Sequence, residues 1–177
     1  MSTPASETLP ASARVGREED RVFLLVVDET EELGAAIRYA CIRARRTGGR
    51  LALLYAYDLE LDFQHFVSVG RLMEQEARAE AETIIKRHAL DITRESGRVP
   101  EIFVRKGNRR EELFKLVKEH PEISVLVLGS APGAKPGPLV EAVTGKYAGK
   151  IGIPVCCSWR PDAGGDRPVL KVDIYVI

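Results

Sequence analysis

The chain predicts an α/β protein: an open, doubly wound, five-stranded and mainly parallel sheet with helices on both faces, followed by an extra C-terminal strand. Three observations carry this expectation. Short aliphatic runs alternate with segments whose apolar residues recur at helical spacing. Val22–Val27 and Ile123–Leu128 are apolar on both faces, the profile of strands buried in the middle of a parallel sheet. Between the second of these and a helix stands Gly129-Ser-Ala-Pro-Gly133-Ala-Lys-Pro-Gly137-Pro, a loop dense in glycine and proline. In α/β proteins such a loop is where phosphates bind, because backbone N–H groups and the helix dipole point at the anion.

In chain order, Met1–Asp20 is rich in Ser, Thr, Ala, Pro and Glu and reads as a disordered tail. Arg21–Val27 is the first strand. It ends at Asp28-Glu-Thr-Glu31, where Thr30 is placed to cap the next helix with acidic residues in its first turn. Leu33, Ala36, Ile37, Ala40, Cys41 and Ala44 form that helix's apolar stripe. Arg43, Arg45 and Arg46 suit its C-terminal dipole, and Gly48-Gly49 stops it. Leu51–Tyr57 is the second strand. Asp58–Ser68, with Phe63, His65 and Phe66, reads as a lid over the sheet edge or a helix approach. A long helix then runs from about Val69 to Arg94, with Leu72, Met73, Ala77, Ile84, Ile85, Ala89 and Ile92 inward and His88 near that stripe.

Glu101–Arg105 is the third strand. Asn108 is placed to cap the following helix, with Glu111 and Glu112 in its first turn, and His120-Pro121 ends it. After the fourth strand and the glycine loop, a helix runs from Leu139 to Ile151 and is closed by Gly152. Ile153–Cys157 is the fifth strand, with one of Cys156 and Cys157 in the core and the other outward. Arg160–Pro168 reads as a linker. Val169–Ile177 reads as a strand, paired either with another subunit's edge or with its own sheet. The organisation is a tail over residues 1–20, an α/β domain over 21–159, and a linker with terminal strand over 160–177.

The 177 residues suffice for one domain with a sizeable core. Hydrophobic residues make up 45% and charged residues 29%, ordinary for a soluble globular protein. Acidic and basic residues balance at 26 each, which argues against a dedicated nucleic-acid binder. No apolar run approaches the roughly 20 residues that span a bilayer. Met1–Asp20 lacks the apolar core of a secretory signal. Three cysteines, two of them adjacent, suggest no disulfide framework, so the expected compartment is the cytoplasm.

Ligands in open parallel sheets bind beyond the strands' carboxyl ends, where the strand order reverses. That rule brings Asp28 close to Gly129, Ser130 and Gly133. Catalysis finds little footing. Ser130 lacks the G-x-S-x-G setting of a nucleophile elbow, the three histidines are scattered, and Cys156-Cys157 is not C-x-x-C. No His, Cys or carboxylate shares a metal-like spacing with His88.

Val26-Val27-Asp28, Leu53-Leu-Tyr-Ala-Tyr57, Gly107 before an acidic helix start, Val127-Leu-Gly129-Ser130 and Ile153-Pro-Val155 together resemble the universal stress protein family, over about Arg21–Trp159. The resemblance implies a small cytoplasmic α/β stress-response protein, commonly a homodimer through edge strands. In the family's ATP-binding branch an aspartate ending the first strand meets adenine and ribose, and Asp28 matches it. The phosphate loop there reads G-x-x-G, nine residues, then G and Ser or Thr. Gly129 and Ser130 match its opening. Gly129 and Gly133 stand three residues apart instead of two, and Glu141-Ala142 occupies the Gly-Ser place. A carboxylate there would repel a triphosphate by roughly 4 kcal/mol at about 4 Å. Pro136 and Pro138 also lack N–H donors.

On this resemblance the nucleotide-binding candidates are Asp28, Gly129, Ser130, Gly133 and Thr144. The expected function is a non-catalytic, dimeric stress-response or regulatory protein with a degraded nucleotide loop. The alternative is an ATP-binding switch or slow ATPase that uses ATP with Mg through residues 129–145. A different nucleotide or anion is a third occupant. No nucleic-acid or membrane partner is expected.

Overall fold

The computed structural model describes residues 21–58, 67–130, 137–145, 147–159 and 171–175. The elements are β1 Val22–Val26, α1 Leu33–Thr47, β2 Arg50–Tyr57, α2 Val67–Ser96, β3 Glu101–Lys106 and α3 Arg109–Glu119. They continue with β4 Ile123–Gly129, α4 Pro138–Thr144, a 3₁₀ turn at Ala148–Lys150, β5 Val155–Trp159 and β6 Lys171–Tyr175.

The strands form one sheet in the order β3-β2-β1-β4-β5-β6. The first five are parallel, as expected, and β6 runs antiparallel to β5. The order reverses between β1 and β4. Of the two placements open to the terminal strand, the chain takes its own sheet: β6 pairs with β5 from Trp159–Lys171 to Val155–Tyr175.

Each face carries its own core. Leu24, Leu54, Leu113, Leu116 and Leu126 pack on the side of α3 and α4. Leu25, Leu53, Ile37, Ile85 and Ile92 pack on the side of α1 and α2. Successive strand residues point to opposite faces, so a strand covered on both sides must be apolar throughout, as β1 is. All five of its residues are buried.

Three expectations need correction. The helix foreseen over Leu139–Ile151 stops at Thr144. The chain leaves helical geometry at Gly145, whose N–H donates to Glu141 O at 3.0 Å, and resumes only as the 3₁₀ turn before Gly152. Leu72 and Met73 are not core: they are 57% and 36% exposed, and the long helix meets the sheet through Ala81, Ile85, Ala89 and Ile92 of its later turns. Cys156 and Cys157 do alternate, but both are buried, because each face beneath β5 is covered.

The cysteine environment gives an expected result. Burial pushes the Cys41 thiol up to about 12, and burial also raises Cys156. All three thiols are buried and should react with a thiol reagent at pH 8 only once guanidinium unfolds the chain. Rapid labelling of the native protein would contradict this packing. Burial likewise takes the Tyr39 hydroxyl to about 12, and Tyr39 Oη donates to Cys156 Sγ at 3.8 Å. Groups with raised pKa values stabilise the fold below their unfolded values, here 9.0 and 10.0, and that contribution is lost as pH climbs towards about 12.

Among the described residues no helix is long and apolar enough to cross a membrane. The expected tail, the Phe63–Phe66 stretch and the Arg160–Pro168 linker lie outside the described residues.

Candidate functional site

Where the strand order reverses, β1 and β4 diverge beyond their carboxyl ends and leave a cleft of about 440 Å³. Asp28, Thr30 and Glu32 supply one wall. Gly129, Ser130 and the start of α4 supply another, and Asn108, Arg109 and Arg110 at the start of α3 supply a third.

Asp28 follows β1 and is half-buried. Its Oδ1 accepts from the Thr30 N–H at 3.2 Å and from Thr30 Oγ1 at 2.6 Å. Thr30 therefore does not cap α1, contrary to expectation. That helix starts at Leu33 with no acidic residue in its first turn, and its N-cap Glu32 makes no side-chain capping bond. The physical reason is competition: a hydroxyl two residues from a carboxylate closes a local turn with it. This turn orients the Asp28 carboxylate.

Gly129 has a packing reason to be glycine. A Cβ there would lie 2.6 Å from the Glu32 carbonyl carbon and oxygen and 2.9 Å from Glu32 Cβ. The end of β4 thus passes directly against the start of α1. The Ser130 N–H, expected at the mouth of a phosphate loop, donates to Ser158 O at 3.0 Å. It extends the β4–β5 ladder. Gly133 lies outside the described residues, as do Lys135 and Pro136. Thr144 closes α4 with Oγ1 donating to Val140 O at 2.7 Å, and neither it nor Glu141 lines the cleft. Glu141 is exposed on the first turn of α4, so among the described residues the carboxylate that joins Asp28 on the cleft wall is Glu32. Pro138 sits in the first turn of α4, where an N–H has no intrahelical acceptor anyway.

The cations come from α3. Gly107 takes φ +132, which only glycine adopts readily, while its N–H donates to Tyr57 O at 2.8 Å. The chain then turns so that Asn108 caps α3, its Oδ1 accepting from the Arg110 N–H at 3.1 Å, as expected. Arg109 and Arg110 are thereby fixed at the cleft. Arg109 Nε is buried and has no hydrogen-bond partner among the described residues. The Arg109 charge reaches the half-buried Tyr55, whose hydroxyl is raised mainly by burial and by Glu29, while Arg109 opposes the shift. Sequence reading identified Asn108 as a cap and missed the two arginines. Their signal was a cation pair straight after the carboxyl end of a parallel strand.

The cleft can therefore offer an oriented carboxylate to hydroxyl groups and the charge of Arg109 and Arg110 to an anion, with the Arg110 guanidinium itself lying over the Tyr147 ring at 4.9 Å. Among the described residues its four charged side chains balance, with Asp28 and Glu32 against Arg109 and Arg110. Among the described residues no three His, Cys, Asp or Glu side chains group to hold a metal ion.

Comparison with known proteins bears on this geometry. The family model described as the universal stress protein family matches residues 21–157. The fold is similar to that of the universal stress protein UspA from Lactobacillus plantarum. The two share 20% identity, with 70% of this chain and 90% of that one covered, at a TM-score of 0.56. It is also similar to a universal stress family protein from Burkholderia pseudomallei, at 17% identity, 80% and 97% coverage and a TM-score of 0.56. A third similar structure is a universal stress protein in complex with cAMP, at 14% identity, 77% and 95% coverage and a TM-score of 0.53. A search of curated proteins found no match. With a family model matching residues 21–157, from β1 into β5, and structures of that family sharing its topology, the chain belongs to the universal stress protein family.

Proposed function

We propose that this is a non-catalytic stress-response protein of the cytoplasm that senses a mononucleotide in the Asp28 cleft and acts as a homodimer. One observation carries the ligand class: an oriented Asp28 carboxylate and the Arg109–Arg110 pair face one cleft of about 440 Å³. The carboxylate would accept from ribose hydroxyls. The arginines would take one phosphate.

Charge favours a small phosphate count. Among the described residues the cleft's charges cancel, whereas a triphosphate carries about four negative charges and must approach both Asp28 and Glu32. At about 4 Å each like-charge contact costs roughly 4 kcal/mol at an effective dielectric of 20. The Ser130 N–H, one of the donors a polyphosphate loop would use, is taken by Ser158 O. ATP with Mg, as a switch or slow ATPase, is accordingly the runner-up. The similar structure in complex with cAMP gives the single-phosphate class its precedent. For the dimer, β6 covers the outer edge of β5, so β3 with its half-exposed Ile102 is the edge proposed to pair. Residues 21–159 are the proposed working domain, with the terminal strand an addition to it.

The test is thermal unfolding with AMP, cAMP and Mg-ATP in parallel. Ligand at about 100 times its dissociation constant adds roughly 2.7 kcal/mol, a rise of several degrees. AMP or cAMP should raise the midpoint. Asp28→Asn, which keeps an acceptor for Thr30 and loses the charge, should weaken binding roughly tenfold at unchanged stability without ligand. A larger shift with Mg-ATP than with AMP would install the runner-up. No shift with any of the three at millimolar concentration would end the nucleotide reading.

A further inference from the structure

A second concavity lies away from the Asp28 cleft, along the outer side of α3. It is a groove of about 760 Å³ between α3 and the segment that leads from Tyr147 into β5. Arg110, Phe114, Val117 and Lys118 stand at i, i+4, i+7 and i+8, so one face of α3 forms its wall. Ile123, Ile151 and Ile153 make an apolar floor. Among the described residues the rim is cationic: Arg110, Lys115, Lys118 and Lys150 against the single carboxylate Glu111. The whole chain is neutral, with 26 residues of each sign, so this is a local concentration of charge.

Tyr147 marks its centre. The Arg110 guanidinium lies 4.9 Å from the ring centroid and the Lys150 ammonium 5.1 Å from it. The Phe114 ring packs against the same ring at 5.9 Å. Two like charges thus converge on one ring, and among the described residues neither forms an ion pair, whereas Lys115 is paired with Glu112 at 2.6 Å. An anion placed between the two cations relieves their repulsion and keeps both ring contacts.

We propose that this groove docks an extended acidic peptide, with one carboxylate between Arg110 and Lys150 and a following apolar side chain on Phe114 and the isoleucine floor. Charge complementarity selects the occupant. The dimensions agree: Arg110 and Lys118 are eight positions apart, about 12 Å along a helix, the span of about four residues of extended peptide. The docking does not depend on the nucleotide reading, although Arg110 also borders the Asp28 cleft.

The probe is a fluorescein-labelled acetyl-Glu-Leu-Glu-Phe-Glu-amide, read by fluorescence anisotropy with the full chain. The acidic peptide should bind, and binding should weaken as salt is raised. A counterpart with Gln replacing each Glu should bind roughly tenfold less well. Lys150→Glu and Lys118→Glu, both at exposed positions, should each weaken binding roughly tenfold. Lys86→Glu, the same charge change on α2, should not. Equal effects of Lys150→Glu and Lys86→Glu would overturn the proposal. Displacement by inorganic phosphate as effective as by unlabelled peptide would also overturn it, by reducing the groove to a small-anion site. So would absence of peptide binding together with a groove variant that changes the sedimentation coefficient, since a second copy would then be the occupant.

Discussion

Gly129→Ala is expected to lower stability by about 3 kcal/mol, a fall of roughly 6–12 °C in unfolding midpoint for a domain of this size. A Cβ at 2.6 Å from two backbone atoms of Glu32 has no rotamer to escape into. Either β4 or the start of α1 must move. Because β4 is hydrogen-bonded to β1 on one side and β5 on the other, its displacement disturbs the centre of the sheet. Gly137→Ala is the natural control. Gly137 has φ −60 and ψ 160, open to any residue, and among the described residues nothing lies within 4 Å of its added Cβ. Its midpoint should stay within about 1 kcal/mol of the parent. Differential scanning calorimetry of the two variants without ligand separates the explanations. If Gly129 were glycine only so that a phosphate could approach, the unliganded Gly129→Ala protein would melt like the parent and lose binding alone.

Leu25→Ala should cost about 3–5 kcal/mol, or roughly 6–20 °C, and Leu24→Ala a similar amount. Both side chains are fully buried on the central strand, and they belong to opposite cores. Their holes open on different faces and share no lining. The double variant should therefore lose close to the sum of the two single losses, within about 0.5 kcal/mol. Guanidinium unfolding curves for the four proteins make this comparison. A double variant no worse than the poorer single one would mean that the two faces are not independent cores. Such a result would contradict a sheet wound on both sides.

Much of this architecture was legible in the residues alone. Continuous aliphatic runs at β1 and β4 require cover on both faces, and helical spacing between the strands supplies that cover. Parallel connection and right-handed crossover then leave few topologies. Asn108 and the first-turn acids of α3 were readable for the same reason: capping and dipole preferences act within one turn of chain. Asp28 was readable as lining the cleft with Gly129 and Ser130, because the strand ends at a reversal of order come together there.

The remaining decisions needed the assembled molecule, since they depend on which groups meet across the fold. Thr30 prefers Asp28 to the helix it precedes. The glycine at 129 answers to Glu32, about a hundred positions earlier in the chain. Ser158 claims the Ser130 N–H. Leu72 and Met73 carry the right spacing for a core face, but the sheet lies under later turns of their helix. Arg109 and Arg110, which sequence reading passed over, line the same cleft as Asp28. Local preferences are written in neighbouring residues. A cleft is made by residues far apart in sequence, so only the tertiary structure decided what lines it.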